Sequence, residues 1–191
     1  SVVTTNELTP EFLAPLRRYV AKATIDMTGA KVVAGEWSDK ECTDRGLKII
    51  GDIPEEWVDK TTAEFGGPVK TIAFVPTVAY GAELCQRFQA MGFNFQQISY
   101  KDADEARRKS LIDEFKKEHS TIVGLVAVDV LSKGFDVKDV KCGISARPFR
   151  KSLSQHVQQL GRVMRSAPGK EFGLWLCMAR GSRVLTDKGL V

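Results

Sequence analysis

Histidine occurs only twice and cysteine four times in the 191 residues, and neither type clusters. Cys42, Cys85, Cys142 and Cys177 are scattered with no C-x-x-C pair, which excludes the usual ligand spacing of a structural zinc site, so no metal is expected on protein ligands. No apolar run approaches the roughly 20 residues that a bilayer-spanning helix needs, so no membrane partner is expected. The opening Ser1-Val-Val-Thr-Thr-Asn6 has neither a basic region nor an apolar core. No secretory leader is expected there, and a cytoplasmic setting is the default. Internal repeats and low-complexity tracts are also missing.

What is present is ordinary for a globular α/β domain. Hydrophobic residues make up 43% and charged residues 27%. The length suits one well-buried domain with additional segments rather than two full domains. A net charge of +4 is compatible with a phosphate-rich partner without establishing one.

From about Lys70 the pattern alternates. Thr71–Val75 is a short apolar run that suits a buried strand, ending at Pro76. A helix is predicted next, with Leu84, Cys85, Phe88 and Met91 on one side and Gly92 as its stop. Phe93–Ile98 reads as a second strand. Asp102-Ala-Asp-Glu105 has capping-box character and opens a helix over 102–118 that buries Leu111, Ile112 and Phe115. Ile122–Val128, Cys142–Ala146 and Gly173–Leu176 complete the strands, and Cys85 and Cys142 read as small buried residues. Strands alternating with helices predict a parallel sheet with helices on both faces. Before Gly67 only Ile53–Phe65 reads as helical.

Ser152-Leu-Ser-Gln155 is another capping-box signature. At 100° per residue, Leu153, Val157, Leu160 and Met164 share a sector about 60° wide, and Gln158, Arg162 and Arg165 share another on the opposite side. One face packs; the other presents two guanidinium groups and an amide, with Gly161 removing bulk beside them. Two arginines one turn apart suit phosphate oxygens, although a solvated basic face has the same spacing.

The order of three segments bears on that choice. Thr71-Ile-Ala-Phe-Val-Pro-Thr77, Leu125-Val-Ala-Val-Asp-Val-Leu-Ser-Lys-Gly-Phe-Asp-Val-Lys-Asp-Val140 and Gln158-Gln-Leu-Gly-Arg-Val-Met-Arg165 resemble motifs IV, V and VI of superfamily 2 helicases. The style is closest to the branch of XPB-like DNA helicases and restriction-enzyme translocases. The resemblance implies a RecA-like C-terminal motor lobe that works with ATP and Mg2+, binds nucleic acid (DNA rather than RNA) and pairs with an N-terminal RecA-like lobe. It implies that Arg162 and Arg165 act as arginine fingers beside Gln158. It also implies that Gly134 and Asp136, with Gly161, approach the nucleotide, and that Thr77, Ser132, Lys133 and Arg108 contact the nucleic-acid backbone. Two departures stand out: Val128 replaces a common Thr, and Ser99-Tyr-Lys101 replaces a His-Gly or Asp-Gly pair.

No G-x-x-x-x-G-K-[ST] loop occurs. Asp102-Ala-Asp-Glu105 is no Walker B box, because it opens a helix instead of ending a strand. The triphosphate and Mg2+ are therefore expected on a separate lobe, and residues 1–191 alone are expected to be inactive. The expected division is a lead-in over 1–40, the RecA-like domain over 41–176 and a tail over 177–191. Cys177-Met-Ala-Arg-Gly-Ser-Arg-Val-Leu-Thr-Asp-Lys-Gly189 resembles the opening block of inteins and related Hint domains, which implies a splicing nucleophile at Cys177; a plain hairpin turning at Asp-Lys-Gly is the alternative. Other readings of the whole chain are a non-catalytic nucleic-acid-binding module that keeps the fold, and the translocase part of a restriction enzyme.

Overall fold

Six strands, every neighbouring pair parallel, form the central sheet of the computed structural model. It describes residues 16–99, 101, 103–128, 137, 139–149, 169, 171–179, 185–186 and 189–190. The elements are β1 (Leu16–Ile25), β2 (Val32–Val33), β3 (Glu36–Trp37), α1 (Asp39–Leu47), α2 (Asp52–Phe65), β4 (Thr71–Val75), α3 (Val78–Ala90), β5 (Phe95–Ser99), α4 (Glu105–Lys116), β6 (Gly124–Val128), β7 (Cys142–Ser145), β8 (Gly173–Ala179), β9 (Leu185–Thr186) and β10 (Gly189–Leu190). The sheet order is β1-β8-β7-β4-β6-β5; the parallel sheet is the one the alternating pattern predicts, and the arrangement is RecA-like, as the resemblance implies.

The inner strands β4, β6, β7 and β8 are buried at every residue. A parallel sheet covered on both faces needs such unbroken apolar runs. Their side chains alternate between two cores. One holds Ala73, Val75, Val126, Ile144 and Leu176 with Cys42 of α1, Trp57 of α2 and Leu84 of α3. The other holds Ile72, Phe74, Leu125, Ala127 and Trp175 with Phe115 of α4. No helix among the described residues is long and apolar enough to cross a membrane.

Close approach explains one glycine. A Cβ at Gly124 would stand 2.2 Å from a ring carbon of Phe95, and Phe95 is fully buried and stacked on Phe88 with centroids 3.6 Å apart. Gly124→Ala should therefore destabilise the fold by about 1–3 kcal/mol, the usual cost of overpacking, measured as a lowered denaturation midpoint.

Several boundaries differ from the sequence reading. The capping residue of α4 is Asp104, whose carboxylate accepts the Arg107 N–H at 2.9 Å, and the helix starts at Glu105. Met91 is 44% exposed because it lies past the last turn of α3. Leu111 and Ile112 are only partly buried against the second core. β8 continues through Cys177 to Ala179 instead of ending at Leu176. Besides the two-residue strands β2 and β3, two elements had no counterpart in the sequence reading. The first is β1, whose Arg17, Arg18 and Lys22 interrupt an apolar pattern because it is the sheet's edge strand; charged edges are how exposed strand backbones avoid unwanted pairing. The second is α1, which buries only Cys42 and Gly46 and offers little beyond Cys42 and Leu47 as apolar side chains.

Candidate functional site

In an open parallel sheet, ligands bind beyond the carboxyl ends of the strands, where neighbouring strands send their connections to opposite faces. That happens here between β4 and β6. The chain leaving β4 forms α3 on the first core, whereas the chain leaving β6 returns through Val137 and Val140 in the second.

Thr77 stands on one side of this point. Two residues past the end of β4, its extended backbone (φ −144, ψ 161) starts α3, and its Oγ1 accepts the Tyr80 N–H at 3.3 Å. The next residue, Val78, is 46% exposed, so this helix start is open to solvent. Free N–H groups at such a start favour an anion. Arg108 lies beyond β6, at the end of β5. Its Nη1 donates to the Ser99 carbonyl at 3.4 Å and Nη2 lies 4.0 Å from Glu105 Oε1. It therefore folds onto the strand end, with its side chain only 14% exposed. Of the residues picked from sequence, Thr77 and Arg108 thus share this edge and flank the point where residues 129–136 begin. Ser132, Lys133, Gly134 and Asp136, and likewise Gln158, Gly161, Arg162 and Arg165, lie outside the described residues.

A third contributor escaped the sequence reading. α1 lies against the same edge and touches two neighbouring strand ends from one face. Asp39 Oδ1 lies 3.1 Å from Arg147 Nη2, just past β7. One turn on, Thr43 Oγ1 lies 2.8 Å from Thr77 Oγ1, just past β4. Those ends are joined by the Ala146 N–H donating to the Phe74 carbonyl at 2.9 Å. The next turn of α1 interlocks with α3: Tyr80 Oη donates to the Gly46 carbonyl at 3.3 Å, and a Cβ at Gly46 would sit 2.8 Å from the Tyr80 ring. Burial pushes the Cys42 thiol up to about 11, the positive charge of Arg147 opposing it. A signal for α1 was available. Ser38-Asp-Lys-Glu41 has capping-box spacing, and the Ser38 hydroxyl does accept the Glu41 N–H at 3.2 Å.

Cys177 occupies a different environment. It is fully buried in β8, level with Val20 and Ser145 on the flanking strands. Burial pushes its thiol up, against the influence of Arg18. A thiol held protonated inside a sheet is a poor nucleophile, so this placement lends no support to a splicing role. The hairpin alternative has its counterpart in β9 and β10, which pair antiparallel with Thr186 opposite Gly189.

Comparison with known proteins agrees with this architecture. Residues 56–167 match the family model described as the helicase conserved C-terminal domain. A 51.5 kDa protein of Lactococcus phage (isolate 7-9) is 30% identical over 154 residues, covering 80% of this chain and 32% of the phage protein. The chain thus spans about a third of that relative's length. Among solved structures, the ATP-dependent Type ISP restriction-modification enzyme LlaBIII bound to DNA superposes with a TM-score of 0.63 at 16% identity, covering 93% of this chain and 13% of that one. Domain 2 of the DEAD-box helicase Mss116p, bound to an RNA duplex, superposes with a TM-score of 0.56 at 24% identity, covering 71% and 51%. Both are likenesses of fold.

Proposed function

Because this chain belongs to the family of helicase conserved C-terminal domains, we propose that it is the second motor lobe of an ATP-dependent superfamily 2 helicase or translocase. The observation that supports this best is the parting of the strand connections at the ends of β4 and β6, with the open helix start at Thr77 beside it.

In this reading Thr77, Ser132 and Lys133 grip the phosphate backbone, and Arg108 adds positive charge at the rim. Contacts of that kind position a strand without reading its bases, so binding is weakly sequence-specific and weakens as salt rises. Gly134, Asp136 and Gly161 face the nucleotide. Gln158 orients the reacting groups, and Arg162 and Arg165 stabilise negative charge on the transferring phosphoryl group. ATP held with Mg2+ on a preceding lobe supplies the phosphoryl group. Closure and reopening of the two lobes then shift the grip along the track, proposed to be DNA on the branch resemblance.

The test joins residues 1–191 to the lobe that precedes them. The joined protein should hydrolyse ATP faster when single-stranded DNA is added, and more so than with RNA of equal length. Residues 1–191 alone should hydrolyse none above background. Brisk nucleic-acid-stimulated hydrolysis by the 191 residues alone would contradict the two-lobe reading.

A further inference from the structure

We infer that Thr43 is a positioning residue for the nucleic-acid grip, acting through Thr77. The inference rests on the reading of Thr77 as a phosphate contact. It is carried by the 2.8 Å bond between the Thr43 and Thr77 hydroxyls and by the fastening of α1 to the neighbouring strand end through Asp39 and Arg147.

A hydroxyl offers one proton and two lone pairs. Thr77 Oγ1 already accepts the Tyr80 N–H, leaving one lone pair and its proton. The bond to Thr43 runs in either direction. When Thr77 donates, its proton points at Thr43 and is withheld from any ligand. When Thr43 donates, both lone pairs of Thr77 are occupied and its proton is free for an outside acceptor. A phosphodiester oxygen only accepts, so binding selects the second arrangement. Donation from Thr43 also polarises the Thr77 hydroxyl and strengthens the hydrogen bond it gives to the anion.

The surroundings hold Thr43 in place for this task. Asp39 lies one turn earlier on the same face of α1, where residues four apart are neighbours. Its pairing with Arg147 anchors the helix over the end of β7, while Gly46 lets the following turn settle against Tyr80. Thr43 and Thr77 are each only partly buried, so the pair lies within reach of solvent.

The experiment uses the protein that contains this chain together with its first lobe. It measures the single-stranded DNA concentration giving half-maximal ATPase stimulation, and the rate at saturating DNA. Thr43→Val, which keeps shape and removes the hydroxyl, should raise the half-maximal concentration about threefold to tenfold, the worth of one hydrogen bond, and leave the saturated rate unchanged. Thr43→Ser should restore the wild-type value, which a purely structural role for the methyl group would not allow. Thr77→Val should weaken binding at least as much, and adding Thr43→Val to it should cost nothing further, because the two act as a unit. Thr43→Ala covers the case in which the valine disturbs packing, with thermal melts confirming that each variant is folded. If Thr77→Val weakens DNA binding and neither Thr43→Val nor Thr43→Ala does, the inference is wrong and the phosphate grip stands. If Thr77→Val itself changes nothing, or the wild-type enzyme ignores DNA, both the grip and the inference fall.

Discussion

Arg165→Ala, in the protein carrying both lobes, should lower the DNA-stimulated ATPase rate on the order of 100-fold or more. The loss is large because a guanidinium aimed at developing phosphoryl charge acts in the transition state more than in the ground state, and removing one such stabiliser typically costs several kcal/mol. The effect should fall on kcat. DNA binding without nucleotide should stay near the wild-type value, since the proposed backbone grip lies at Thr77 and residues 132–133 rather than at residue 165. Arg165→Lys should recover little, because an ammonium lacks the planar fork that meets two phosphate oxygens at once. Arg162→Ala should behave alike. A steady-state assay at saturating ATP and DNA measures all three variants. Rates within twofold of wild type for both alanine variants would rule out the finger role.

The second large effect concerns the fold. Trp57→Ala should lower stability by about 3–5 kcal/mol, the range for deleting a buried aromatic side chain. Trp57 is fully buried and makes edge contacts with Phe88, Phe93 and Phe95 at centroid distances of 5.4, 4.9 and 5.3 Å. Its indole N–H donates to Thr71 Oγ1 at 2.8 Å, and that hydroxyl donates onward to the Val69 carbonyl at 2.8 Å. The variant thus loses packing between α2, α3 and β5 and a polar link to the start of β4. For a domain of this size the melting temperature should drop by roughly 10 °C. Trp57→Phe keeps most of the ring surface and loses the donor, so it should cost only about 1–2 kcal/mol. Thermal unfolding followed by far-ultraviolet circular dichroism separates the two. A melt of Trp57→Ala within 2–3 °C of wild type, where roughly 10 °C is expected, would show that the aromatic cluster contributes far less than its burial implies.

Legibility followed burial. Strands covered on both faces read as continuous apolar runs: Thr71–Val75 was bounded correctly from sequence, and β6 and β7 were located to within two residues. Thr77 was readable because a hydroxyl directly after a strand and a proline is a local capping signal, and it does cap α3. Elements that bury little were harder. β1 is an edge strand whose charges break its apolar run, and α1 offers little beyond Cys42 and Leu47 as apolar side chains among its charges.

The order of elements from β4 to β8, the parallel sheet and the three motif segments were determined by the sequence alone, because hydrophobic period, capping and turn chemistry act over a few neighbouring residues. Tertiary structure decided which distant groups meet. Thr43 lies 34 positions from Thr77, and Asp39 is still farther along the chain from Arg147; no local pattern links them, and only the parallel strand order carries both partners to one edge. The state of Cys177 was likewise decided there. Its neighbours in sequence resemble the start of a splicing block, yet sheet pairing with β1 and β7 buries the thiol, and desolvation, which depends on everything packed around a group, sets its reactivity.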